Sequence, residues 1–317
     1  MSNKPDIAIL LPCYNEEGAI GETVLAFSQA LPDATVYVYD NNSTDGTVSE
    51  AINSGAKVYK EERQGKGKVV RRMFSDIDAD IYLMADGDNT YDAGVAASLI
   101  QDLIDNNLDM VIGTRTTSSD AYPKGHILGN KLFTKLISVF FGTKLNDVFS
   151  GYRVMSKRFV KTVPIFSHGF EIETELTVHA LHHSMSIKEV PTRYKSRPEG
   201  TASKLRTFSD GAKILYFILF LLRDVKPLQF FSTISGLFML VCLVLGLPVV
   251  VEFWNTGLVE RLPTAVLSSA LGVIAISCLF SGFILDNISR LRVEAKILHY
   301  LSYDSLKGNS VDYPRDK

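Results

Sequence analysis

The sequence is poor in cysteine and tryptophan, and neither sign of charge is in clear excess. Its 317 residues include three cysteines, one tryptophan, and 33 Lys and Arg against 35 Asp and Glu, for a net charge of -2. The cysteines are widely spaced and form no Cys-x-x-Cys, which argues against a disulfide framework and a cysteine zinc site. A near-neutral chain also differs from a nucleic-acid binder, which normally has a clearly basic face.

Charge is missing altogether from two segments in the C-terminal third. Residues 227–251 and residues 262–285 contain no Asp, Glu, Lys or Arg. Each segment is long enough to cross a hydrocarbon core, which takes about 20 residues. We therefore predict a two-helix transmembrane hairpin over residues 227–289, with a pair of buried core helices as the alternative. Basic residues on both outer flanks predict that both ends lie in the cytosol.

The rest of the chain divides around this hairpin. We expect residues 1–210 to form a cytosolic domain, because the apolar run Ile7–Leu11 is shorter than the roughly 7–15 residues of a signal peptide core. Residues 211–226 contain the apolar run Ile214–Leu222, which is too short to span and predicts an interfacial amphipathic helix. An ordinary core helix is the alternative there. Residues 290–317 are polar and predict a cytosolic tail.

In the first domain, apolar runs typical of strands alternate with stretches typical of helices. The strand-like runs are IAILLP, VYVYD, AKVYK, DIYLMAD and MVIGTR. Asn15 is expected to cap the first helix, over roughly Glu16–Ala30. The alternation predicts an α/β fold with a mostly parallel sheet. Ligands of such sheets bind beyond the carboxyl ends of the strands, so the polar residues after each strand are the functional candidates.

Two carboxylates follow the fourth of these runs. Asp86 and Asp88 are separated by one glycine, so in an extended segment they project in the same direction. Such oxygen ligands suit Mg²⁺ or Mn²⁺, which usually retain waters and bind phosphate oxygens as well. An Asp-x-Asp pair is by itself more often a solvated turn, but its place after a buried strand favours a metal site.

Two further segments have the composition of a nucleotide site. Asp40 ends the second strand-like run, where a carboxylate can accept hydrogen bonds from a ribose or a base. Lys66 lies between two glycines in GKGK, ahead of a predicted helix, which favours anion binding; an exposed basic loop is the alternative. The segment lacks the spacing of an ATP-hydrolysing phosphate loop and of a dinucleotide fingerprint, so both functions lose support.

Seven motifs occur in the order found in family 2 glycosyltransferases, and together they resemble that family. They are PCYNE (12–16), DNNSTDGT (40–47), GKG (65–67), DGD (86–88), GTR (113–115), DVFSGYR (147–153) and R…G…SK (197–204). The last two are similar to the polyprenyl-phosphate branch, represented by dolichyl-phosphate mannose and glucose synthases. The resemblance implies a Rossmann-like, GT-A type domain, and the apolar pair resembles the hairpin of membrane-anchored bacterial and archaeal members.

The resemblance also implies a role for each matching residue. The residues expected to bind the nucleotide sugar are Pro12, Tyr14, Glu16, Asp40, Lys66, Asp86 and Arg115. Those expected to bind the acceptor or its phosphate are Ser150, Arg153, Arg197, Ser203 and Lys204. The metal ligands would be Asp86 and Asp88, and the catalytic residues would be Asp147, Arg115 and Asp88.

Two positions depart from the family pattern, and one remains ambiguous. Asn41 stands where a second Asp is common, which leaves UDP and GDP both open. Thr90 stands where Gln or Ser is often found and would be a poorer metal ligand. In GFEIETEL, either Glu173 or Glu175 is expected to face the acceptor.

The implied activity is inverting transfer of a hexose from a UDP- or GDP-sugar to an undecaprenyl or dolichyl phosphate at the cytosolic membrane face, with Mg²⁺ or Mn²⁺. A phosphate monoester with a second pKa of about 6 is largely dianionic at neutral pH, so Asp147 is expected to orient rather than to deprotonate. One alternative is a processive polysaccharide synthase, which is disfavoured because the single tryptophan, Trp254, lies outside a Gln-x-x-Arg-Trp motif. The other alternative is a membrane protein that binds a nucleotide sugar without catalysing its transfer. Gly and Ser in both apolar segments permit a homo-oligomer.

Overall fold

A computed structural model describes residues 4–116, 133–135, 137–138, 141–169, 171–195, 223–304 and 306. The chain divides into two compact units, the first of Met1–Leu215 with Ile297–Lys317 and the second of Tyr216–Lys296. Several predictions fall outside the described residues. They are the roles of Arg197, Ser203 and Lys204, residues 211–222 of the interfacial helix, and residues 307–317 of the tail.

The described part of the first unit contains a seven-stranded sheet with the order β3-β2-β1-β4-β6-β5-β7. The strands are β1 (Ile7–Cys13), β2 (Thr35–Asp40), β3 (Lys57–Lys60), β4 (Ile81–Met84), β5 (Met110–Thr116), β6 (Arg153–Ser156) and β7 (Ile187–Arg193). Neighbouring strands are parallel except around β6, which runs antiparallel to β4 and β5. This mostly parallel sheet confirms the predicted fold class, whereas β6 and β7 were not predicted.

Helices pack on both faces of the sheet. They are α1 (Ile20–Ala30), α2 (Thr47–Asn53), α3 (Lys66–Asp76), α4 (Ala96–Asp105, after a 3₁₀ turn at Ala93–Val95), α5 (Lys157–Thr162) and α6 (Ile172–His182). On β1, Ile9 belongs to the same core cluster as Phe27 of α1, and Leu10 belongs to another cluster with Met73 of α3. Because successive side chains of a strand point to opposite faces, β1 is buried on both and reads as a continuous apolar run.

The first helix begins later than predicted, and Asn15 does not cap it. α1 starts at Ile20 with Ala19 as its N-cap. Asn15 has a φ of 52°, its Oδ1 accepts from the Thr44 N–H at 2.8 Å, and its own N–H donates to Ser43 Oγ at 2.9 Å. Asparagine tolerates this left-handed conformation better than most residues. Asn15 therefore joins the loop after β1 to the loop after β2.

The second unit contains most of two long apolar helices, α7 (Pro227–Thr256) and α8 (Leu262–Leu301). Both are long and apolar enough to cross a membrane. In the most apolar 18-residue stretch of each helix, only 11% of α7 and 17% of α8 is buried. The core helices of a soluble protein are mostly buried. This low burial argues against the alternative of two core helices.

Small residues allow α7 and α8 to approach each other closely. Ser235 Oγ donates to the Ala275 carbonyl at 2.7 Å. A Cβ on Gly282 would lie 3.0 Å from the Cβ of Phe231. Small residues of this kind commonly line contacts between membrane helices. Here they serve contacts within one chain, and association between copies stays a prediction.

The end of α8 belongs to the first unit and contacts a buried carboxylate there. Tyr300 Oη donates to Asp109 Oδ1 at 2.9 Å, and Arg158 Nε donates to the same oxygen at 2.6 Å. The Arg158 guanidinium lies 4.9 Å from the centre of the Tyr300 ring. Asp109 Oδ2 accepts from the Ser186 N–H at 2.9 Å. Asp109 thus connects the last turn of α8 to the sheet.

Candidate active site

The candidate residues lie at the carboxyl-end edge of the sheet. Cys13, at the end of β1, pairs with Asp40, at the end of β2. Asp86 follows β4, and Arg115 lies near the end of β5. Both strands are antiparallel to β6, so β4 and β5 run in the same direction. The strand ends that the sequence singled out therefore share one edge, as expected for ligand binding in such sheets.

Lys66, at the start of α3, lies between two carboxylates. Its Nζ is 2.5 Å from Asp86 Oδ1 and 2.5 Å from Glu173 Oε1. The Lys66 side chain is only 13% exposed. Burial by itself lowers the pKa of this ammonium, but the two carboxylates outweigh burial and hold the pKa above its usual range. Lys66 is therefore a charged group within the site, which does not fit the alternative of an exposed basic loop.

The two glycines around Lys66 are explained by packing. Gly65 has a φ of +131°, and a Cβ there would collide with the backbone carbonyl of His168. A Cβ on Gly67 would collide with the carbonyl of Ser167. Only glycine permits this close approach of backbone to backbone. The glycines thus fix where the Lys66 side chain begins.

The carboxylates after β4 have the chemistry of a divalent metal site. Asp88 is 1% exposed, and its Oδ1 accepts from Thr90 Oγ1 at 2.6 Å. Gly87 separates the two aspartates because a Cβ there would collide with Cys13 Sγ. Among the described residues no group of three or more His, Cys, Asp or Glu side chains could hold a metal. The pair of Asp86 and Asp88 therefore fits an ion that takes its other ligands from phosphate and water.

Thr90, predicted to be a poorer metal ligand, contacts the carboxylate of Asp88. It is fully buried, and its hydroxyl is directed to the Asp88 carboxylate. Its backbone N–H also donates to Asp88 Oδ1, at 3.3 Å. Thr90 therefore orients a candidate ligand instead of standing in for one.

Arg115 and Asp147, both predicted to be catalytic, form a bidentate ion pair. Nε and Nη2 of Arg115 donate to the two Asp147 oxygens, each at 2.7 Å. The Arg115 backbone N–H donates to Asp147 Oδ2 at 3.2 Å. Bidentate pairs of this kind are strong and geometrically specific. With both oxygens engaged, Asp147 is better suited to positioning Arg115 than to accepting a proton.

The acceptor loop, residues 147–152 before β6, contains the predicted acceptor residue Ser150 and passes beside Asp86, a predicted metal ligand. A Cβ on Gly151 would lie 3.0 Å from Asp86 Oδ2, so the backbone of this loop passes directly beside Asp86. Ser150 is fully buried, and its hydroxyl donates to the Gly113 carbonyl at 2.5 Å. In this position Ser150 supports the loop, and its contact with an acceptor stays a prediction.

Arg153 does not have the position expected of a phosphate ligand. It is 0% exposed, and its Nε donates to the Ser150 carbonyl at 3.0 Å. Its Nη2 donates to the carbonyls of Val148 at 2.9 Å and Glu173 at 2.8 Å. Burial lowers the pKa of Arg153 to about 10, so it stays charged at neutral pH. Since protein carbonyls occupy the guanidinium, direct binding of the acceptor phosphate does not fit this geometry.

The two glutamate candidates on α6 have different partners. Glu175 accepts from the Phe166 N–H at 2.8 Å and from the Ser167 N–H at 3.0 Å. Glu175 therefore stabilises the segment that packs on the glycines around Lys66. Glu173 binds Lys66 itself. Of the two, Glu173 lies at the candidate site.

Asn41 has a structural explanation for its departure from the family pattern. Its Nδ2 donates to the carbonyls of Glu61 at 2.8 Å and Arg63 at 3.0 Å. Its Oδ1 accepts from the Gly65 N–H at 2.7 Å. An aspartate could not make the two donations, because an ionised carboxylate is an acceptor only. Asn41 thus fixes the loop that carries Lys66, and it is no guide to the base.

The remaining nucleotide candidates lie near the ends of β1 and β2. Tyr14 is 38% exposed, whereas Glu16 and Asp40 are buried. Asp40 Oδ1 accepts from the Ser43 N–H at 3.2 Å, so it also closes the turn after β2. Pro12 pairs with Tyr39 within the sheet. The exposed ring of Tyr14 is the member of this set best placed to contact a ligand.

Two residues that support the site were not predicted. Tyr91 Oη accepts from the Gly151 N–H at 2.9 Å, and burial raises the pKa of Tyr91 well above its usual range. Glu189 Oε1 accepts from the Asp147 N–H at 3.1 Å. Tyr91 could have been identified from the sequence, because it is an aromatic residue directly after Thr90 and close to the DGD motif. Glu189 lies in β7, a strand that itself was not predicted, so the sequence offered no comparable signal.

Comparison with known proteins is consistent with this geometry. Residues 8–163 match the sequence model described as Glycosyl transferase family 2. Glycosyltransferase AglJ of Haloferax volcanii is 31% identical over 295 residues, covering 92% of this chain and 96% of that protein. A dolichyl-phosphate hexose transferase of the same organism is 29% identical over 210 residues, covering 66% of this chain and 90% of that protein.

A solved structure has the same fold. Glucosyl-3-phosphoglycerate synthase from Mycobacterium tuberculosis, in complex with Mn²⁺, UDP and phosphoglyceric acid, matches with a TM-score of 0.57 at 20% identity. The match covers 70% of this chain and 78% of that chain. At this identity the likeness shows the fold alone.

Proposed function

Because the chain belongs to glycosyl transferase family 2, we propose that it transfers a hexose from a UDP- or GDP-sugar to the phosphate of a polyprenyl phosphate. The observation that carries the proposal is the contact between two predicted subsites. The backbone of the loop predicted to bind the acceptor passes at Gly151 beside Asp86, a predicted metal ligand. Donor diphosphate and acceptor phosphate would therefore meet at one point.

The donor would bind through the metal pair and the ends of the first two strands. Asp86 and Asp88 would hold Mg²⁺ or Mn²⁺, which stabilises the negative charge on the departing nucleoside diphosphate. The M. tuberculosis synthase of the same fold was solved with Mn²⁺ and UDP, which supports this choice of ion. Tyr14 would stack on the base, and Asp40 would accept from the ribose or the base.

The acceptor chemistry fits the ion pair between Arg115 and Asp147. One oxygen of a dianionic lipid phosphate forms a bond to the anomeric carbon, and the bond from that carbon to the β-phosphate oxygen breaks, with inversion. Nucleoside diphosphate leaves with the electron pair, and no proton has to be removed from the nucleophile. A general base is therefore unnecessary. Asp147 would hold Arg115, which would neutralise phosphate charge together with Arg197, Ser203 and Lys204.

The lipid nature of the acceptor is supported by the apolar helices and by one relative. Both α7 and α8 are suited to crossing a membrane. The similar Haloferax volcanii protein is a dolichyl-phosphate hexose transferase. Arg223, Lys226 and Arg290 flank the two spans, and positive flanks favour the cytosolic side. We place the reaction at the cytosolic face of a bacterial or archaeal plasma membrane, or of the endoplasmic reticulum in a eukaryote.

Partition of labelled sugar tests the proposal. The full-length protein in detergent is incubated with labelled UDP- or GDP-hexose, Mg²⁺ and a polyprenyl phosphate, and the label is followed into the organic phase. The proposal predicts that Asp88→Ala abolishes transfer of the label. Asp33→Ala is the matched control and should leave transfer intact, because Asp33 is an exposed loop aspartate. An aqueous polymer would instead indicate a polysaccharide synthase. Binding of the sugar nucleotide without transfer would indicate a silent binder.

A further inference from the structure

We propose that Lys66 occupies the Asp86 carboxylate until a divalent cation and a nucleotide bind, and that Glu173 then retains the Lys66 ammonium beside the diphosphate. The inference rests on the proposed use of Asp86 as a metal ligand. It assigns Glu173 as a positioning residue that acts through Lys66. It also predicts competition between two cations that the family membership alone does not imply.

The Asp86 carboxylate already forms an ion pair with the Lys66 ammonium. The ammonium of Lys66 is equidistant from Asp86 Oδ1 and Glu173 Oε1, at 2.5 Å from each. The side chains of Lys66 and Glu173 are 13% and 5% exposed, and that of Asp86 is 29% exposed. The contact is therefore largely shielded from water, so the attraction between the charges is screened less than in a surface ion pair.

A divalent ion and the Lys66 ammonium would compete for the Asp86 carboxylate because both are positively charged. A divalent ion on Asp86 would lie within a few ångströms of the ammonium if Lys66 kept its present contact. Like charges at such a distance repel strongly in a partly desolvated site. Either the ammonium leaves Asp86 or the ion binds weakly. The lysine stem has several rotatable bonds, so its head group can pivot while Gly65 and Gly67 keep the backbone packed against residues 167–168.

Glu173 is a fixed second partner of the Lys66 ammonium. It lies in the first turn of α6 and is buried. Its carbonyl accepts from Arg153 Nη2 at 2.8 Å, which ties its backbone to β6. When Asp86 is taken by a metal, Glu173 still holds the ammonium within the site. From there the ammonium can bind the diphosphate, as a lysine does in other phosphate sites.

Two substitutions should therefore change metal binding in opposite directions. Lys66→Met removes the competing cation, so Mn²⁺ alone should bind about tenfold more tightly, while UDP or GDP with Mn²⁺ should bind about tenfold more weakly. Among the described residues, Glu173→Gln leaves the ammonium with Asp86 as its only carboxylate partner, so Mn²⁺ alone should bind severalfold more weakly. Lys68→Met is the matched control, because this neighbouring lysine of α3 contacts neither carboxylate in the described salt bridges.

The experiment measures free Mn²⁺ by electron paramagnetic resonance in titrations of the full-length protein in detergent, with and without UDP or GDP. Thermal unfolding of each variant checks that it is folded. Tighter Mn²⁺ binding by Lys66→Met together with weaker nucleotide binding supports the inference, and so does weaker Mn²⁺ binding by Glu173→Gln. Equal Mn²⁺ affinity in wild type and Lys66→Met would overturn the inference alone. Absence of Mn²⁺ binding in both, even with nucleotide, would overturn the proposed metal site as well.

Discussion

Replacing Arg153 by methionine should destabilise the catalytic domain itself, because this arginine holds the acceptor loop to α6. The guanidinium donates to the carbonyls of Ser150, Val148 and Glu173 and to Thr177 Oγ1, at 2.8 to 3.0 Å. Each buried group that loses its donor costs about 1–3 kcal/mol. Removing a buried guanidinium offsets part of that loss. We expect a net loss of about 3–5 kcal/mol in the free energy of unfolding.

The assay is thermal unfolding of the purified protein, read alongside the KM for polyprenyl phosphate. For a domain of this size the loss corresponds to a fall in Tm of about 10 °C. Arg153→Lys keeps the charge but has fewer donors, so its Tm should fall between those of wild type and Arg153→Met. Arg193→Met, at an exposed position of β7, is the matched control and should leave Tm unchanged. A normal Tm for Arg153→Met with a raised KM would show instead that Arg153 binds the phosphate and does not stabilise the fold.

Three further outcomes are expected from the same structure. Asn41→Asp loses two donations, a buried one to the Glu61 carbonyl and a partly buried one to the Arg63 carbonyl. It should lower the free energy of unfolding by about 2–4 kcal/mol, and an unchanged denaturant midpoint would contradict this. Tyr300→Phe loses the hydrogen bond to buried Asp109 and should cost about 1–2 kcal/mol, read as a lower Tm. Hydrogen bonds from Arg63 lower the pKa of Glu61 to about 2 from its ordinary 4.5, so Glu61 stabilises the fold above about pH 4.5 and loses that effect as pH falls toward 2. Glu61→Gln should remove this part of the pH dependence of Tm; an identical pH profile in the variant would argue against it.

The sheet could be predicted only where its strands carry a strong apolar signal. β1 and β4 are continuous apolar runs because they are buried on both faces, and such runs stand out in a sequence. β6 has four residues, begins with Arg153 and offers only two apolar side chains. β7 has the sequence IKEVPTR, in which apolar and charged residues do not alternate, and it contains Pro191; both features weaken a strand prediction. Both strands are specified by partners distant in the sequence.

The candidate site shows the same division between local and distant information. The motifs at the strand ends identified Asp86, Asp88 and Lys66 because polar residues after buried strands are a local pattern. Besides Asp86, Lys66 contacts Glu173, which lies 107 positions further along the chain, and no local pattern connects these two residues. Likewise, the motif DVFSGYR singles out Arg153 as a candidate site residue. Its complete burial depends on how α6 packs against β6, which the motif does not show.

We propose that the bond formed in the reaction joins the hexose to a lipid phosphate, and ³¹P nuclear magnetic resonance of the lipid tests this most directly. The full-length protein is incubated with polyprenyl phosphate, a nucleoside-diphosphate hexose and Mg²⁺. We expect the phosphomonoester signal of the lipid to be replaced by a phosphodiester signal, and Asp88→Ala to prevent the change. A monoester signal that persists while the sugar nucleotide is consumed would contradict it.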